Sequence, residues 1–458
     1  MKIKNTLSLS LITLLLSSCS MIPDMDKPVV ETPAQWLGDS KNLTTDQEIP
    51  SQWWTVFNDI TLTQLIDDAG RNNLDLKTGI ERVNQSRAAL KIAGANLLPS
   101  AEATASMGKD RTNPATGKTT TTTPISGGLS IAYDLDLFGA NRAGTEFASR
   151  SLKASEFNQK ALELSIYSDV AEAYFNLLLT RERIGIANDN LKNSKELLRI
   201  VEARVSAGVD SNLELSQQKV AVANSEAALS ILNQNETIYK NALALLLGRP
   251  PEIFALPNSA LNKISIPAIA AGQPSSLLER RPDIASAEQK LLAANANIGV
   301  ARAAFFPSVT LGLTADAVGT GLSNPLGTAL GVASSLTAPI FQGGRLEAGV
   351  EQATAEQREL LAMYQKTVLS AFGEVENALS AVNTSSTREE SLRTAVTEAK
   401  KAYEISRKRY EVGTIDFATM LDTQLALLTA QDNYAEAMKS RLSASLDLVK
   451  ALGGGWKP

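Results

Sequence analysis

Hydrophobic positions along the chain change period several times, and the changes come twice in the same order. Ile166, Val170, Ala173, Leu177 and Ile184 recur at spacings of three, four or seven, and Leu346, Val350, Ala353, Leu360, Tyr364, Val368, Ala371, Val375 and Leu379 do the same. That spacing puts an apolar stripe on one face of a helix, with coiled-coil character. No proline falls within 141–207 or 344–412, so the pattern predicts two unbroken helices. At about 1.5 Å per residue each would reach roughly 100 Å. Each is closed by a glycine turn and followed by a returning helix. The turns run from Arg204 to Gly208 and from Arg409 to Gly413, glycine supplying the left-handed conformation that ends a helix. Ser211 with Glu214 fits a capping box for the first returning helix, and Asp416 can cap its counterpart.

Elsewhere the period is two. Leu129, Ile131, Tyr133, Leu135 and Leu137 alternate with Ser130, Ala132, Asp134 and Asp136, which places the two aspartates on the non-lipid face of a strand. Val309, Leu311, Leu313, Ala315 and Ala317 share a face in the second copy, and Leu330, Val332, Leu336, Ala338 and Ile340 largely follow after a turn. Polar turns at 110–118 and 319–327 carry Asn113-Pro114 and Asn324-Pro325. Each copy therefore holds one hairpin and the chain four strands. The threonine run 119–123 reads as the rising edge of the first hairpin.

The repetition is explicit. Shifted by 208 positions, 74–100 lies over 282–308 without a gap, with identities at Asp75/Asp283, Ala88/Ala296, Ala93/Ala301, Ala95/Ala303, Pro99/Pro307 and Ser100/Ser308. Phe138 and Arg142 match Phe341 and Arg345 at offset 203, and Arg204 and Gly208 match Arg409 and Gly413 at offset 205. The expected organisation is a leader at 1–18, a tether at 19–57 and a first repeat at 58–256 with its hairpin at 99–137. A proline-rich connector at 257–275, a second repeat at 276–452 with its hairpin at 307–340, and a tail at 453–458 follow. The fold class is α+β, of a membrane protein. Four strands are too few to close a barrel, and open sheet edges are not tolerated in lipid. Several chains must pool their hairpins, three copies giving about twelve strands, with four copies as the alternative.

Composition narrows the chemistry. Among 458 residues there is no histidine and one cysteine, Cys19. No Ser-His-Asp or Cys-His pair, His/Cys zinc site or intrachain disulfide can form, and no enzyme or cofactor site is expected. A net charge of -5 argues against nucleic acid. Lys2 and Lys4 precede an apolar run at 7–16 that is too short to span a bilayer. Leu16-Ser17-Ser18-Cys19 resembles a bacterial lipobox, which implies cleavage before Cys19, a covalent lipid on its thiol and, with Ser20 next, an outer-membrane destination.

Several motifs together resemble the TolC-type outer-membrane efflux proteins, in particular the NodT-type lipoprotein branch. They are Trp53-Trp54 with Phe57-Asn58-Asp59, the run 133–139 from Tyr133 to Gly139, Glu279-Arg280-Arg281-Pro282-Asp283, the run 301–308 ending Phe305-Phe306-Pro307-Ser308, and Ala338-Pro339-Ile340-Phe341 with Gly343-Gly344-Arg345. The resemblance implies a homotrimer whose β-barrel, four strands from each chain, continues into a periplasmic α-helical barrel with an equatorial girdle. It implies a passive exit duct in a tripartite efflux system. The partners would be a periplasmic adaptor (membrane fusion) protein and an inner-membrane transporter, usually of the resistance-nodulation-division class. Further implications are an entrance gate at Asp422 and Tyr410, and adaptor docking at the tips, where Arg204, Gly208, Arg409 and Gly413 lie. Three copies of Asp422 would form a carboxylate ring that concentrates cations. Some members carry a second aspartate where this chain has Thr419, which leaves a single acidic ring. Two rivals remain at this point: a periplasmic coiled-coil spacer without a pore, and a duct serving type I protein secretion. Drugs, dyes, metals and other small molecules are all compatible cargo.

Overall fold

The structure is a computed structural model, and it describes residues 20–26, 28–38, 49–256, 259–320 and 327–457. Cys19 and most of the second hairpin turn lie outside the described residues. Contacts divide the chain into two compact units. One gathers 81–157 and 286–366 with the N-terminal segment to 29, and the other gathers 30–80, 158–285 and 367–458. Each unit draws on both repeats, so compactness does not follow the repeat boundaries.

The helices are α1 (Ile60–Asn72), α2 (Leu74–Ala95), α3 (Ala140–Ser206), α4 (Asn212–Leu246), α5 (Leu277–Arg280), α6 (Pro282–Ala303), α7 (Arg345–Glu411) and α8 (Phe417–Ala451). The two long helices have 67 residues each and the two returning helices 35 each, so the repeat is exact at this level. Among the described residues no helix is long and apolar enough to cross a membrane. Between α4 and α5 the described residues hold three short 3-10 turns, at Pro251–Ile253, Leu261–Lys263 and Pro274–Ser276.

The first unit is built on an antiparallel sheet of β1 (Ser100–Met107), β4 (Pro124–Asp134), β5 (Ser308–Thr320) and β6 (Gly327–Thr337), in the order β1-β4-β5-β6. Two further strands, β2 (Asp110–Thr112) and β3 (Thr120–Thr122), pair as a separate ribbon. The sheet has the four strands expected, and the ribbon is an addition to them, because the polar turn expected at 110–118 starts as paired chain. Register sets Ile131 between Ala101 and Leu313, and Leu313 against Val332. That face is apolar on β1, β4 and β5, and on β6 except at Thr328 and Ser334. The other carries Glu102 beside Ser130, Asp316 beside Gly128 and Asp134 beside Thr310.

One expectation fails here. Asp136 does not sit on a strand: β4 stops at Asp134, and Asp136 has φ 42°, in the left-handed region. Its carboxylate accepts from the Asn141 and Arg142 backbone nitrogens at 2.9 and 3.0 Å, which satisfies unpaired donors at the start of α3. Alternation of residue types continued past the point where the backbone turned. Just beyond the sheet, Phe138 stacks on Phe306 with centroids 4.6 Å apart.

In the second unit the Trp53–Phe57 turn is core. Trp53 and Phe57 are buried, and Phe57 meets Phe175 at 5.7 Å between centroids. Asp59 caps α1 through the Leu62 nitrogen at 2.7 Å and accepts the Tyr174 hydroxyl at 3.3 Å. Burial pushes that phenol up to about 12. Arg281, 8% exposed, grips Asp283 at 2.7 Å, Glu374 at 2.6 Å and the Ala451 carbonyl at 3.0 Å, which joins the start of α6 to α7 and to the end of α8. The expected tail is part of this core. Gly453, Gly454 and Gly455 all have positive φ, and a Cβ at Gly453 would run into the Arg280 carbonyl oxygen.

Candidate functional site

The two tips close in the same way. After α3 the Gly208 nitrogen donates to Val205 O at 3.0 Å and the Val209 nitrogen to Arg204 O at 2.9 Å. After α7 Gly413 and Thr414 repeat this to Tyr410 O and Arg409 O, both at 2.9 Å. These paired bonds are Schellman closures and require the left-handed glycine, here with φ 75° and 77°. Ser211 and Glu214 form the expected capping box on α4, and Asp416 accepts from the Thr419 nitrogen at 2.7 Å to cap α8. The glycines therefore shape the turns through backbone conformation.

Between the tips lies a cluster the sequence reading did not assemble. Arg204 donates to Asp210 from Nε at 2.9 Å and from Nη2 at 3.1 Å. The Tyr410 hydroxyl donates to Asp210 Oδ2 at 2.6 Å, and the Arg204 guanidinium lies 4.8 Å over the Tyr410 ring. Tyr410 is 2% exposed and packs with Leu197, Val201, Tyr403, Phe417 and Met420. The Arg204 guanidinium and the Tyr410 hydroxyl hold the Asp210 carboxyl below the usual carboxylate range. Burial, and then the Asp210 carboxylate, push the Tyr410 phenol well above its usual value. One carboxylate thus ties the α3–α4 tip to the α7–α8 tip through charge-assisted bonds.

The other sequence-predicted residues fall outside this cluster. Arg409 is exposed at the second tip, and Asp422 is exposed on α8. Arg204 has its guanidinium committed to Asp210 and Tyr410 rather than free for a partner. Asp210 was missed, yet the repeat held a signal. At offset 205 Asp210 lies over Ile415 and Tyr410 lies over Val205, so the polar pair replaces apolar residues once in each copy. A few turns above the tips, buried Gln424 reaches Asn190 Oδ1 at 3.1 Å and Ser194 Oγ at 2.9 Å, and Gln218 reaches the Ser194 carbonyl at 2.7 Å. The side-chain oxygens of both glutamines accept no hydrogen bond from the described residues. A polar layer of this kind pins helix register at a cost in stability.

The family model described as outer membrane efflux protein matches residues 65–249 and 273–454. The chain belongs to that family. It is 37% identical to the pyoverdine export outer membrane protein OpmQ of Pseudomonas putida, over 97% of this chain and 96% of the relative. It is 32% identical to the toluene efflux pump outer membrane protein TtgI of the same species, over 97% of each. Among solved structures, the CmeC outer membrane channel of Campylobacter jejuni superposes with a TM-score of 0.88 at 27% identity, covering 96% of each chain. The α+β fold expected from the sequence is the TolC-type channel fold. The protein is the outer-membrane channel subunit of an efflux system, set in the outer membrane and extending into the periplasm.

Proposed function

We propose that three copies of the chain form a passive exit duct, lipid-anchored at Cys19, that docks on a periplasmic adaptor and serves an inner-membrane transporter of the resistance-nodulation-division class. The carrying observation is the sheet: among the described residues nothing pairs with the outer edges of β1 and β6, and on its apolar face Leu330 and Val332 are 86% and 87% exposed. Such a surface is stable in lipid only when its edges are closed by other strands. A second bare stripe, Leu213, Val220, Ile231, Ile238 and Leu245, runs along α4 and supports helix packing between copies.

The Arg204–Asp210–Tyr410 cluster supports a resting gate at the tips, with Asp422 as an acidic ring just inside. Opening would break the bonds to Asp210 and let the paired helices splay, a shift between packed states. Exposed Arg409 supports adaptor docking at the second tip. The relatives' names span pyoverdine and toluene, which supports small-molecule cargo chosen by the inner-membrane pump. In planar bilayers the purified protein should give discrete single-channel currents and cross-link as trimers. A water-soluble monomer without conductance would overturn the proposal.

A further inference from the structure

The start of the described chain is seated on the helices. Ile22 lies against Gly299 of α6, where an added Cβ would come within 2.7 Å of Ile22 Cγ1 and 3.0 Å of its backbone nitrogen. Asn295, one turn earlier and 7% exposed, donates to the Pro23 carbonyl at 2.8 Å. Gln357 of α7 donates to Met25 Sδ at 3.4 Å. Glycine inside a helix is unfavourable relative to alanine, and the close approach of this strap gives the reason for one at 299. Further along, the strap is held again. The Leu37 and Gly38 nitrogens donate to the two Glu376 carboxylate oxygens at 2.7 and 2.9 Å, and the Trp36 indole donates to Gly272 O at 2.9 Å.

The repeat supplies an internal control. Under the 208-residue shift Asn295 and Gly299 lie over Arg87 and Lys91 of α2. Long charged side chains stand there instead, Arg87 donating to Asn84 Oδ1 at 3.0 Å and lying 3.6 Å from Glu156. The small, polar seat belongs to one repeat alone.

We propose that Asn295, Gly299 and Gln357 form a seat for the first residues of the mature chain and thereby fix where the acyl anchor enters the bilayer. The proposal rests on acylation at Cys19. The link from Cys19 to Ile22 can span only about 10 Å. A flexible tether from 19 to 57 would instead wander over roughly 30–35 Å. Gly299 lies four residues before the end of α6 at Ala303, and β5 begins at Ser308. The seat therefore delivers the lipid at the foot of the hairpin that must enter the membrane, and it limits the orientations the sheet can adopt there.

The test uses full-length protein recovered from the outer membrane of a Gram-negative host. Palmitate labelling of the wild type, lost in C19A, checks acylation itself. In labelled protein a short bis-maleimide should join P23C/N295C roughly tenfold more than P23C/R87C. G299L should keep its label while cross-linking of M25C/Q357C falls by about tenfold, the effect expected of overpacking at the seat. N295A, which removes one hydrogen bond, should lower it less and in the same direction. Equal cross-linking of the two Pro23 pairs, or wild-type cross-linking in both G299L and N295A, overturns the seat and leaves acylation standing. An unlabelled wild type overturns the acylation reading and the proposal with it.

Discussion

Tyr410→Phe isolates one bond of the gate. The substitution removes the hydroxyl that donates to Asp210 at 2.6 Å and keeps the ring, which lies under Arg204 at 4.8 Å and beside Phe417 at 5.8 Å. A hydrogen bond to a charged acceptor contributes about 1.5–3 kcal/mol. Taking about 2 kcal/mol, the closed arrangement of each protomer should weaken by about 30-fold relative to the open one. Three protomers add if their latches act independently. The assay is single-channel current in a planar bilayer at fixed salt, read as occupancy of the high-conductance level. Tyr403→Phe is the control, because Tyr403 is buried in the same cluster and makes no hydrogen bond to Asp210. Equal occupancy in the wild type, the Tyr410 variant and the Tyr403 variant, all as folded trimers, would refute the latch.

Acid should loosen the same gate. The Asp210 carboxyl is held below its usual range in the folded chain. Its contribution is complete above the ordinary carboxylate value of about 3.9 and is lost as pH falls through the folded value. Conductance should therefore stay flat from neutral pH down to about 5 and rise below about 4, and Asp210→Asn should flatten that rise. Asp422→Ala should reduce cation selectivity, read from the reversal potential in a salt gradient. The loss should be larger at low ionic strength, since exposed charges are screened within about 10 Å at 0.1 M. An unchanged reversal potential removes Asp422 from the gate. Gly453→Ala should cost about 2–5 kcal/mol, from a left-handed residue at about 1–2 and overpacking at about 1–3. The expected readout is a lower melting temperature and loss of assembled protein; wild-type melting would mean the glycine clasp is slack.

Much of the local structure was legible because its causes are local. Helix ends at the tips follow from Gly208, Gly413, Ser211 and Asp416, each acting within a few residues of itself. The long helices follow from an apolar stripe uninterrupted by proline, and the face of each strand from its alternation. The error at Asp136 came from the same source. Alternation of side chains records facing only while the backbone stays extended, and at 136 it does not.

What the sequence alone determined is therefore the repeat, the succession of helices and hairpins, a composition without histidine, and the family. Tertiary structure decided which distant residues meet. Asp210 finds Tyr410 across 200 positions, Asn295 finds Pro23 across 272, and Arg281 finds Ala451 across 170. Such contacts leave no periodic trace, because closing a long loop depends on packing that no local pattern encodes. In sequence the last residues are an expected tail at 453–458 and the strap is part of an expected tether at 19–57. They became core and seat only once helices far along the chain offered glycines, a carboxylate and a backbone carbonyl to receive them.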